Sequence, residues 1–150
     1  MSLTRRRRHL PVSERERGST VIEAVIGVPA FMLFVGLIVF AGRVAIANQA
    51  VGSAATEAAR AASISRTQGQ AGDTARAAAT TALGNQNVNC LSMTVTVDTS
   101  GFASPVGTPA SVRATVSCVV NLSDLSVPGV PGTRTVSATM SSPLDTYRER

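Results

Sequence analysis

The stretch that decides the fold is GSTVIEAVIGVPAFMLFVGLIVFAGRVAIANQAVGSAATEAARAAS, residues 18–63. Between Ala24 and Gly42 it holds no charged residue. A helix of that length rises about 28 Å, close to the hydrocarbon thickness of a bilayer. A soluble helix rarely lacks a polar face over such a distance, so the stretch reads as a membrane span. A cleaved secretory signal is the alternative, because FAGRVAIA from Phe40 loosely supplies a small-residue cleavage site. Beyond Arg43 the apolar character narrows to one stripe: Val44, Ala47, Val51, Ala54, Ala55, Ala58 and Ala62. Gln49, Ser53, Thr56, Glu57 and Arg60 lie away from most of it, which is helical spacing. The pattern predicts one helix from about Val21 to Ile64, on the order of 65 Å long. Its first half is uniformly apolar and its second half is amphipathic.

Upstream, charge is concentrated. Arg5, Arg6, Arg7, Arg8, Arg15 and Arg17 precede Gly18, whereas from Val44 onward Arg, Asp and Glu are scattered and nearly balanced. The net charge of +5 therefore describes the arm and not the body. A nucleic-acid-binding domain would carry basic charge and stacking aromatics in its folded part. This chain has no Trp and one Tyr, so no nucleic-acid partner is expected. Positive residues stay on the cytoplasmic side of a span. The expected layout is a basic cytoplasmic leader over residues 1–18, a transmembrane segment over 19–43 and an extracytoplasmic domain over 44–150.

Downstream, the period changes. SRTQGQAGD carries two glycines and reads as a break, with Asp73 capping a second helix that stops at Gly84. CLSMTVTVD then alternates, placing Leu91, Met93, Val95 and Val97 on one face. ASVRATVSCVVNL does the same with Val112, Ala114, Val116, Cys118 and Val120, and TRTVSATMSS with Val136, Ala138 and Met140. The expected fold class is α+β: a long N-terminal helix, a short second helix, and a small antiparallel meander covered by the amphipathic half of the long helix. Cys90 and Cys118 lie in different strands beyond the span. An even pair there reads as a disulfide, the alternative being two buried thiols.

No catalytic constellation is legible. The one histidine, His9, sits in the arm, and Asp73, Asp98, Asp124 and Asp145 fall in caps, strand ends or loops without paired spacing. There is no phosphate-binding loop, nucleophile elbow or ligand-spaced cluster. The expectation is a protein without enzymatic activity, cofactor or metal.

Glu23 is the odd residue, an acid at the mouth of a segment built for lipid. Counted from Ser19, the residue after Gly18, it is fifth. A basic leader, a glycine and a glutamate five residues on resemble a type IV prepilin or pseudopilin. The wider pattern of Gly18, Glu23, Pro29, Gly42 with Arg43, and the alanine-rich run Ala54–Ala62 is similar to the TadE-like family, minor pseudopilins of tight-adherence (Flp pilus) systems. The closing SSPLDTYRER resembles actinobacterial members. The resemblance implies cleavage between Gly18 and Ser19 by a prepilin peptidase. It also implies assembly with a major Flp-type pilin and other pseudopilins on an assembly platform with a secretion-type ATPase. It assigns Glu23 to pairing with the free amine of a neighbouring subunit; an interfacial glutamate that snorkels to the headgroups is the plain alternative. Many type IV pilins carry Phe where this chain has Ser19. Pro29 removes one backbone donor and kinks or loosens the helix, either as a flexible point for extraction from lipid or without consequence. A rival of another class is an uncleaved single-pass envelope protein whose outer domain binds a ligand or partner.

Overall fold

The computed structural model describes residues 13–125, 129 and 131–147, of which 13–20 and Leu125 are described by backbone alone. Most of the basic leader, residues 1–12, and the terminal residues 148–150 lie outside the described residues. The element order is α1 (Ser13–Ser63), α2 (Gln68–Asn85), β1 (Cys90–Asp98), β2 (Ser111–Asn121) and β3 (Thr133–Pro143), with short 3-10 turns at Ser100–Ala103 and Ser123–Leu125. The strands form one antiparallel sheet in the order β1-β2-β3. The architecture is α+β.

The helix α1 has two environments. From Val21 to Val39 its large apolar side chains are 39–67 % exposed. From Ala47 onward it supplies a buried face of Ala47, Ala50, Val51, Ala54, Ala55, Ala58, Ala59 and Ala62. That face lies on β2 and β3, and α2 packs against both α1 and β1. α2 contributes Ala71, Ala75, Ala79 and Leu83. Alanine on both helices permits close approach of the backbones. The largest fully buried side chains are only Val51, Val112, Val116 and Cys118. Among the described residues no polar or charged residue is fully buried.

The second helix begins earlier than its glycines suggest. α2 starts at Gln68, so Gly69 and Gly72 lie inside it and Asp73 is an interior residue, not the cap. Thr67 is the N-cap, in extended conformation, and its Oγ1 accepts from the Gln70 N–H at 3.3 Å. Thr67 and Gln70 have the spacing of a capping box. The two glycines cost about 1 kcal/mol each relative to alanine. The cap and the buried face of Ala71, Ala75, Ala79 and Leu83 offset this. The helix also passes Gly84, the expected stop. Asn87 ends it with φ +55°, donating to the Gly84 carbonyl at 3.0 Å, while Val88 N–H reaches Leu83 O at 3.1 Å. This is a Schellman closure with asparagine in the left-handed position usually held by glycine.

The sheet departs from simple alternation in one place. β1 pairs with β2 through Met93↔Cys118, Val95↔Val116 and Val97↔Ala114, but Cys90 pairs with Val120, with a register shift between Cys90 and Ser92. Leu91 is the extra residue of this bulge and is 61 % exposed instead of facing the core. Met140, on the outer strand β3, is likewise exposed, although Ser142 beyond it on the same face is half-buried and bonded to Ser63 of α1. On the sheet face away from the helices, Thr115 hydrogen-bonds Thr139 at 2.8 Å and Ser117 bonds Ser137 at 2.9 Å.

The turn after β1 is tightly built. Asp98 Oδ1 accepts from the Ser100 N–H at 3.0 Å. This bond, then the Ser100 side chain and the Arg113 charge, hold the Asp98 carboxyl below its usual value. The turn is thus favoured at neutral pH and weakens as pH falls through that lowered value. Gly101 follows, and a Cβ there would land on the Ser111 carbonyl oxygen and within 3.1 Å of Leu144 Cδ1. Gly101→Ala should destabilise the domain by about 1–3 kcal/mol through overpacking. Thermal melting of the full chain in detergent measures this, and an unchanged Tm would show that the turn can retreat from Ser111.

Candidate functional site

The residues singled out in the sequence fall into two groups. Gly18, Ser19, Glu23 and Pro29 all lie within α1, which runs through Pro29 without a break. Ser19 and Glu23 are one turn apart, on the same side of the helix. Glu23 is exposed among exposed apolar neighbours. The helix begins at Ser13, not near Val21, so the Gly18–Ser19 peptide lies inside it. Ser13 and Glu16 have capping-box spacing, a start signal placed before the glycine. Among the described residues, α1 is the one helix long and apolar enough to cross a membrane, and none of its most apolar 18-residue stretch is buried.

Cys90 and Cys118 form the second group and are joined by a disulfide with Cα atoms 5.4 Å apart. Strict alternation would place Cys90 with Ser92 and Thr94, on the face opposite Cys118. The bulge at Leu91 turns Cys90 to the inner face, diagonal to Cys118 across the ladder. The crosslink therefore depends on the bulge.

One contact had no local signal in the sequence. Arg43, the first charge after the apolar run, donates from Nη1 to Asp124 Oδ2, in the turn that follows β2. The partners are 81 residues apart in sequence and both are about half exposed. Their pairing links the middle of α1 to the turn that follows β2. Asp145 has a local role, accepting from the Tyr147 N–H at 3.0 Å. Among the described residues no group of three or more His, Cys, Asp or Glu could hold a metal ion.

Residues 18–60 match the family model described as TadE-like protein. The matched segment covers Gly18, Glu23, Pro29, Gly42, Arg43 and most of the alanine-rich run, the residues that carry the resemblance. No curated protein and no solved structure matches the chain. The family match and the long apolar N-terminal helix fit a membrane protein associated with Tad pilus assembly.

Proposed function

We propose that this protein is a single-pass pseudopilin-like component of a tight-adherence (Flp) pilus system. In this reading it supports assembly structurally and catalyses no reaction. The observation that carries the reading is the division of α1. One unbroken helix leaves its large apolar side chains from Val21 to Val39 exposed and gives its second half to the core of a small domain, and the family match spans the junction. That is a subunit able to sit in lipid and present a folded head outside it. The arginine arm keeps Met1 on the cytoplasmic side and puts the sheet and disulfide outside. The partners are a prepilin peptidase, a major Flp-type pilin, other pseudopilins and the assembly platform.

Processing is the direct test. A helical Gly18 carbonyl is engaged with the amide four residues on, so the peptidase must unwind this turn. Glycine loses helical order more readily than any residue but proline, which suits it to that position. Mass spectrometry of protein extracted from membranes should find a mature chain beginning at Ser19. Gly18→Val should leave the arm attached. A chain still beginning at Met1 or Ser2 in cells with active prepilin peptidase sinks the pseudopilin reading. It would favour the rival, an uncleaved envelope protein with a partner-binding outer domain, for which the unbroken helix through Gly18 and Ser19 speaks.

A further inference from the structure

Where α1 meets the head, a groove of about 350 Å³ opens between α1, the α2–β1 connection and the end of β2. Its apolar side is made by Ile46, Ala47, Val88 and Leu122, and its polar side by Arg43, Asn87 and Asn89. Ile46 is 62 % exposed, a large apolar side chain left uncovered on the stem beyond the apolar run. Asn87 and Asn89 are exposed, and their side-chain amides make no hydrogen bond among the described residues.

The depth of this groove is fixed by the helix. Arg43 stands about 30 Å along the axis from Glu23, which is the thickness of the hydrocarbon core. Ile46 and Ala47 stand about 5–6 Å farther out, within the headgroup layer. The groove therefore faces lipid headgroups wherever α1 spans a bilayer. Arg43 engages Asp124 through Nη1, and a guanidinium carries further donors. An exposed ion pair of this kind contributes little, so a phosphate can take over the arginine at small cost.

We infer that the groove is a seat for the headgroup of an outer-leaflet glycerophospholipid. Arg43 and the Asn87 and Asn89 amides hold the phosphodiester, and the glycerol and upper acyl carbons lie on Ile46, Val88 and Leu122. Asp124 competes with the phosphate for Arg43. The inference rests on the membrane-span part of the proposed function and not on the pilus role.

Native mass spectrometry of the full chain in non-ionic detergent, titrated with phosphatidylglycerol, tests it. The wild type should retain the lipid, and Arg43→Gln should weaken retention about tenfold, the scale of one charge-assisted hydrogen bond. Asp124→Asn should strengthen retention severalfold, a gain that misfolding cannot imitate. Arg60→Gln, an exposed arginine farther up the same helix, should change nothing. Diacylglycerol, which lacks the phosphate, should bind at least tenfold more weakly. Equal retention by wild type and Arg43→Gln, or no gain in Asp124→Asn, overturns the inference. So does displacement by an equal concentration of inorganic phosphate, which would mark a free-anion site. Alkaline extraction of the same protein from cell membranes separates the two readings: a chain that washes off refutes the span itself.

Discussion

Glu23→Ala should give a protein that is cleaved and membrane-inserted yet absent from the pilus machinery. A carboxylate at the edge of the hydrocarbon layer costs less than the roughly 2.5–3.5 kcal/mol of a charge at the helix centre, but the cost has the same sign, so the alanine variant should insert at least as well as wild type. In the proposed assembly that carboxylate meets the amine freed at Ser19 of a neighbouring subunit. Removing one member of a buried ion pair costs about 3–5 kcal/mol, because the other is left uncompensated. Recruitment should fall by roughly a hundredfold or more. Glu23→Gln keeps the shape and loses the charge, and should fail nearly as badly. Pilus counts and co-purification with the assembly proteins report the outcome. If both variants support wild-type pili, Glu23 is an interfacial residue that snorkels to headgroups.

Loss of the Cys90–Cys118 crosslink should be the largest blow to the head itself. The core contains mainly alanine methyls, with valine and Cys118 as its largest fully buried side chains. Each buried methylene contributes only about 0.8 kcal/mol, so a core of small side chains gains little per residue. Removing a native disulfide from a small extracytoplasmic domain costs about 2–5 kcal/mol. That is a large share of the 5–15 kcal/mol by which domains are stable. Cys90→Ser with Cys118→Ser should lower the Tm of the detergent-solubilised chain by many degrees, and reductant should do the same to wild type. Alkylation of protein taken from its native envelope without reductant should label neither cysteine. Two readily labelled thiols would contradict both the crosslink and the outward placement of the head.

The elements that could be read in advance are those whose pattern repeats. The apolar run and the alanine stripe of α1 extend over many turns, and the alternating faces of β2 extend over most of its length. The errors fall where one residue outweighs a pattern. Gly69 and Gly72 look like a break, but Thr67, Gln70 and the buried alanines of α2 decide the matter. Asn87 ends that helix in a conformation that asparagine adopts more readily than most residues. Leu91 fits the alternation and still faces solvent, because a bulge inserts a residue without interrupting the pattern. The cysteines held the clue: Cys90 can reach Cys118 only if parity changes between Cys90 and Ser92. Of the candidate site, Gly18, Glu23, Pro29 and Arg43 are visible as a spaced series. Asp124 is not, because its meeting with Arg43 depends on the whole sheet having folded between them.

The continuity of α1 from the apolar run into the sheet's cover also sets an azimuth. Each residue of an α-helix advances the chain by 100° and 1.5 Å. The direction in which the hydroxyl face of the sheet looks, relative to the face of the helix bearing Glu23, is thus counted out by the residues between Glu23 and Ala47. One residue inserted near Gly42 would swing the head by about 100° while raising it 1.5 Å. Four would return it to within about 40° of its original bearing, but some 6 Å higher. Which neighbour the head confronts is therefore written as a helical phase in the segment between Glu23 and Ala47.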